Sequence, residues 1–126
     1  MIKGIHGSTY GGNPLAISVG KKVIEIILER GFLHKVDKIA RYLWKKLKLL
    51  EKKYDQIIEI RGAGLLLGMK TKLNNLHINQ LLANNGLLCV PASDNIIRFT
   101  PSLIVTESEV NEAIHIIEKT LNDLND

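Results

Sequence analysis

Seven residues, Leu33, Val36, Ile39, Leu43, Leu47, Leu50 and Tyr54, recur at intervals of three and four. An α-helix turns once every 3.6 residues, so this spacing gathers them into a single stripe. A stripe of that length must be covered, which predicts a long helix lying on the core of the fold. Lysines fill its other face. Between Lys35 and Lys53 there are eight Lys/Arg residues and two acids, Asp37 and Glu51. The whole chain carries only +4, so the rest of it is slightly acidic. Two readings of this basic face stay open. It is either the solvated side of a core helix or an anion-binding surface for nucleic acid or lipid. Aromatic residues make up 5% of the chain, and no stacking platform for bases is visible.

The other elements follow from local signals. Asn13-Pro14 marks a helix start, because Asn accepts from first-turn amides and Pro suits the first helical position. The helix predicted behind it runs from Leu15 to Arg30 and stops at Gly31. It is apolar on much of its circumference, so it expects cover on more than one side. Ile57 to Arg61 reads as a strand, and Gly62-Ala63-Gly64 breaks it before LLLGMK resumes an extended run. Asn75 is expected to cap a short helix containing Leu76, Leu81 and Leu82, stopped by Asn85-Gly86. Leu87 to Val90 is a third strand ended by Pro91, and Ile96 to Thr100 a fourth closed by Pro101. Thr106-Glu107-Ser108-Glu109 matches the capping box, and Val110, Ala113, Ile114, Ile117, Leu121 and Leu124 form the stripe of the last helix. The order is helix, helix, two strands, helix, two strands, helix. This predicts an α/β (α+β) layer, a short sheet covered by helices.

A length of 126 residues suits one domain. A single cysteine, Cys89, excludes an intramolecular disulfide and fits a reducing compartment. No apolar run approaches a membrane span, and MIKGIHGSTY has no apolar core of signal-peptide length. These features together predict a cytoplasmic protein with no membrane partner.

Four stretches are candidates for chemistry. Gly62 to Gly68, GAGLLLG, resembles a dinucleotide fingerprint but continues as a strand, whereas the true motif opens a helix that receives the pyrophosphate. His6, His34, His77 and His115 have no ligand-like spacing and Cys89 has no partner cysteine, so no metal site is expected. HGSTYGGNPLA, from His6 to Ala16, is more informative. The hydroxyls of Ser8 and Thr9 and the free amides around Gly7 and Gly11-Gly12, beside a helix N-terminus, can hold a phosphate or carboxylate, or can simply form a capped loop. Arg98 is one charge in the apolar strand Ile96-Ile97-Arg98-Phe99. It either faces solvent or holds a planar carboxylate bidentately.

Three stretches together resemble the class III pyridoxal-phosphate aminotransferases. HGSTYGGNPLA looks like the loop before that family's long interdomain helix, IRGAGLLLGMK like its small-domain strand-turn-strand, and NIIRFTPSLIVTESEV like its closing segment. They stand in family order and cover nearly the whole chain. The resemblance implies the C-terminal small domain of a pyridoxal-phosphate-dependent transferase fold, preceded by a long interdomain helix. Residues 1–31 would form the phosphate-contact loop and that helix, and residues 32–126 the small domain. The large domain would supply the lysine that anchors the cofactor and the main phosphate cradle. No catalytic residue is therefore assigned in this chain. By resemblance Thr9 binds the phosphate of pyridoxal 5'-phosphate across a dimer interface. Ser8 contacts substrate or cofactor, and Arg98 binds a substrate α-carboxylate. Ser102 stands where the family often has a second proline. Arg-Phe-Thr-Pro-Ser-Leu resembles the members acting on ornithine-type donors. That implies transfer of an amino group from N-acetylornithine to 2-oxoglutarate, as in arginine biosynthesis. Partners implied are the small-molecule amino acid and 2-oxo acid, and a second copy or the missing large domain. The lone chain is expected neither to turn over nor to retain the cofactor. The alternative is a non-catalytic remnant or interaction module.

Overall fold

A computed structural model describes residues 7, 8 and 11–124. The chain divides into two compact units between His34 and Lys35. The first holds α1, Pro14–Ile27. Asn13 caps it, its Oδ1 accepting from the amides of Leu15 at 3.0 Å and Ala16 at 3.2 Å. The helix ends three residues short of the predicted Arg30, with Leu28 as C-cap. Glu29 to Gly31 instead form a turn, in which the Phe32 amide donates to the Glu29 carbonyl. No α1 residue is buried, and Leu15, Ile17, Val19, Val23, Ile24 and Ile26 are between 38% and 75% exposed. The cover expected for this helix is not found within its own unit.

The second unit is built on α2, Phe32–Lys53. The stripe read from spacing is the buried one, with Ile39, Leu43, Leu47, Leu50 and Tyr54 all buried. Leu33, at its upper end, is exposed. After α2 come β1 (Ile57–Ala63), β2 (Leu66–Thr71), α3 (Asn75–Asn84), β3 (Val90–Ala92), β4 (Ile96–Phe99) and α4 (Glu107–Asp123). The four strands form one sheet in the order β1-β2-β4-β3, with antiparallel pairs throughout. The chain thus has the α/β architecture predicted for it.

One face of the sheet is the core. Ile57, Ile60, Leu67, Met69, Ile97 and Phe99 meet the stripes of α2 and α4, together with Ile78 and Leu82 of α3. Burying a Leu- or Ile-sized side chain contributes roughly 1.5–3 kcal/mol, so this cluster carries most of the stability. The α4 start is the predicted capping box, with Thr106 and Glu109 each satisfying the other's backbone amide. Thr120 lies in the buried stripe of α4 although the apolar pattern skips it. Its hydroxyl donates to the Ile116 carbonyl and accepts from the Asn85 side chain, so both of its polar needs are met inside.

Three local expectations are corrected. Asn74, not Asn75, caps α3, accepting from Leu76 and His77. Asn75 turns its amide to the carbonyls of Ala92 and Ile96, tying α3 to the ends of β3 and β4. The third strand is Val90–Ala92 rather than Leu87–Val90, and Pro91 lies inside it. It is an edge strand, where a residue without an N–H costs no ladder bond. Residues 87–89 run outside the sheet, with Leu87 and Cys89 packed against the core and Leu88 exposed. Burial pushes the Cys89 thiol up to about 12. Finally, Gly62 and Ala63 continue β1, and the break falls at a two-residue turn, Gly64-Leu65. Gly64, at φ +56, supplies the positive first position such a hairpin turn demands. Among the described residues no helix is long and apolar enough to cross a membrane.

Candidate anion-binding groove on the outer sheet face

The sheet face away from the core carries charge. A strand alternates its side chains, so Ile97 and Phe99 point inward and Arg98 outward. In the ladder, Arg98 of β4 stands opposite Gly68 of β2, and Gly68 stands opposite Arg61 of β1. Arg61, Gly68 and Arg98 therefore form one row across three strands. Together with Gly62, Ala63, Leu66, Ala92 and Ser93 they line a groove of about 730 Å³.

Gly68 makes the floor. A Cβ there would sit 3.0 Å from Ile96 Cγ2, a distance that real Cβ contacts seldom reach. Ile96 shares the outer face with Arg98, yet it is 7% exposed because it packs into the space Gly68 leaves. Both arginines are exposed, and neither has an ion pair or side-chain hydrogen bond among the described residues. At the groove's edge, Lys70 donates to Asp94 at 2.6 Å. That hydrogen bond, and more weakly the charges of Lys70 and Arg61, hold the Asp94 carboxyl below its ordinary range. Arg61 was not singled out by sequence reasoning. Its outward side follows from a register shift between Ile57 and Glu59, which arises only when β1 pairs with β2.

The predicted phosphate-contact stretch belongs to the first unit. Thr9 lies outside the described residues. Ser8 is exposed, and its carbonyl accepts from the Gly11 amide at 3.2 Å. Because Asn13 already occupies two first-turn amides, α1 does not present an open set of donors to an anion. No lysine lines the Arg98 groove. Among its lining residues the groove thus offers two guanidinium groups to an anion and no amine.

The basic face of α2 is laced with ion pairs. Arg41 pairs with Asp37 at 2.9 Å, Lys53 with Glu118 at 2.8 Å and Lys38 with Glu107 at 3.5 Å, while Lys48 meets Glu51. Lys46 and Lys48 also lie over the Tyr42 and Trp44 rings. Four of the eight basic residues from Lys35 to Lys53 are ion-paired in this way, as on a solvated helix face. No group of three or more His, Cys, Asp or Glu among the described residues is placed to hold a metal ion.

An outer-face arginine row, a helix-covered antiparallel sheet and a glycine loop before a capped helix are a combination that comparison with known proteins can test. The family description "Aminotransferase class-III" matches residues 1–121. The chain belongs to the class III aminotransferase family. Acetylornithine aminotransferase of Mesorhizobium japonicum is 42% identical across 100% of this chain and 32% of its own length. The Agrobacterium fabrum acetylornithine aminotransferase is 44% identical across 94% of the chain and 30% of its own. Among solved structures, acetylornithine aminotransferase from Elizabethkingia anophelis superposes with a TM-score of 0.84 at 32% identity, covering 98% of this chain and 33% of that one. Plasmodium falciparum ornithine δ-aminotransferase gives 0.86 at 32% identity, covering 100% and 33%. The chain spans about a third of the length of these relatives.

Proposed function

We propose that this chain is the small-domain part of an aminotransferase that moves an amino group from N-acetylornithine to 2-oxoglutarate in arginine biosynthesis. The observation that carries this reading is Arg98, an exposed guanidinium without an ion pair among the described residues, standing over a glycine floor in an open groove. Such a guanidinium suits a substrate carboxylate, which it can hold with two parallel hydrogen bonds. Bound pyridoxal phosphate supplies the electron sink for amino transfer. The chain's own residues bind and orient. Arg98 fixes the α-carboxylate, and Ser8 and Thr9 contact the cofactor phosphate or substrate.

Pairing this chain with the N-terminal two thirds of a relative such as the Mesorhizobium enzyme tests the reading. The pair is expected to transaminate N-acetylornithine, and the lone chain is not. In the lone chain, pyridoxal phosphate followed by borohydride should give scattered surface labelling only. Stoichiometric labelling of one lysine with turnover would contradict the division of labour. A properly assembled pair that stays inactive would favour a non-catalytic interaction module.

The exposed apolar side of α1 favours association, and we propose that it meets either the large domain or a second copy. Apolar burial contributes roughly 25 cal/mol per Å², and a continuous exposed patch is a strong drive to cover it. The lone chain should therefore self-associate at high concentration. Val23→Lys with Ile24→Lys should return it toward a monomer. Light scattering reads both, and a monomeric mass for the unmodified chain at millimolar concentration would count against the idea.

A further inference from the structure

We infer that Arg61 is a second cation of the carboxylate groove, acting on the same bound carboxylate as Arg98. The inference rests on the proposed carboxylate role of Arg98 and extends it to a residue on a different strand. Neighbouring strands lie about 4.8 Å apart, so the two arginines are rooted about 10 Å from one another with Gly68 between them. Gly68 has no side chain to stand between the two stems, and the Ile96 methyl that reaches over it keeps the gap apolar at its base. The Arg61 stem already leans over that gap, its Cγ lying 3.9 Å from where a Gly68 Cβ would be. Both guanidinium-bearing chains line the same groove.

Two like charges facing one cavity repel until an anion enters between them, so the row favours an anionic occupant. Asp94 does not serve as that anion. Its carboxylate is taken up by Lys70 at 2.6 Å, and Arg61 feels it only through space. Three methylenes in each arginine let the forks converge from opposite sides on one carboxylate. The ligand class is thus a small carboxylic acid, with a dianion favoured over a monoanion.

The test uses the full 126-residue chain, which contains four arginines: Arg30, Arg41, Arg61 and Arg98. Their Nε–Hε signals can be assigned with single Lys variants and followed by NMR during titration with 2-oxoglutarate at constant ionic strength. The expected result is that Arg61 and Arg98 shift together with one midpoint, while Arg30 and Arg41 stay in place. Arg61→Gln should weaken that midpoint by roughly ten-fold or more, as loss of a charge-assisted hydrogen bond does. Arg61→Lys, which keeps the charge but not the fork, should weaken it less. Asp94→Asn separates a ligand contact from a merely structural role. It should leave binding unchanged or tighten it, whereas a loss matching that of Arg61→Gln would overturn the inference. A shift of Arg98 alone, with an unchanged midpoint in Arg61→Gln, would also overturn it and leave the Arg98 reading intact. A titration in which Arg98 itself does not move would remove both.

Discussion

Gly62→Ala should unfold the sheet unit, or leave it too weak to survive mild denaturant. Gly62 sits at φ +131, a conformation that residues with a side chain rarely adopt. Holding one there costs about 1–3 kcal/mol. The added Cβ would in addition overlap the Leu66 carbonyl oxygen and press on Leu67 Cα, both backbone atoms of the paired strand. A flexible side chain could swing away, but a ladder strand cannot move without breaking β1–β2 pairing. The two costs together should reach about 3 kcal/mol or more, a large share of the ~5–15 kcal/mol that holds a domain together. Gly64→Ala is the comparison. It too has positive φ, +56, but a Cβ there meets nothing within 4 Å. It should cost only about 1 kcal/mol. Urea melts followed by circular dichroism read both. A Gly62→Ala midpoint equal to that of the unmodified chain would contradict the hairpin described here.

Arg98→Lys should produce the largest functional loss with almost no structural one. In an enzyme assembled with the large domain, the apparent KM for both the amino donor and 2-oxoglutarate should rise roughly ten- to a hundred-fold. A lysine is a point charge and cannot reproduce a two-pronged contact. Losing charge-assisted hydrogen bonds costs about 1.5–3 kcal/mol, which gives that factor. The fold should be indifferent, because Arg98 is exposed while Ile97 and Phe99 remain in the core. A thermal melt beside the kinetics decides the matter. Unchanged constants with a collapsed melt would make Arg98 structural and remove it from the site.

These two positions differ in how far the sequence could have shown them. Arg98 is visible as a lone charge among apolar strand residues, and its outward side follows from alternation with Ile97 and Phe99. Arg61 is hidden by a register shift between Ile57 and Glu59. Strict alternation would set Ile57, Glu59 and Arg61 on one face. The irregularity sends Ile57 to the core and leaves Arg61 outside, with Ile60 buried between. A register shift of this kind depends on how two strands pair, and no single-strand pattern announces it. The row Arg61-Gly68-Arg98 exists only once three strands separated in sequence are laid side by side.

By itself the sequence determined whatever rests on contacts within a few residues. The α2 stripe, the Asn13 cap, the Thr106–Glu109 box and the order of elements were all legible, because helical periodicity and capping are local physics. Tertiary structure decided what local physics leaves degenerate. Asn74 and Asn75 are both competent caps, and the choice fell to Asn74 because Asn75 is drawn to the carbonyls of Ala92 and Ile96. Pro91 reads as a strand breaker, yet it is accommodated because β3 lies at the edge of the sheet. Ile96 belongs to the outer face by alternation and is buried because Gly68, on another strand, leaves it a space. Each outcome was set by a partner distant in sequence, whose position the chain fixes only when the sheet has formed.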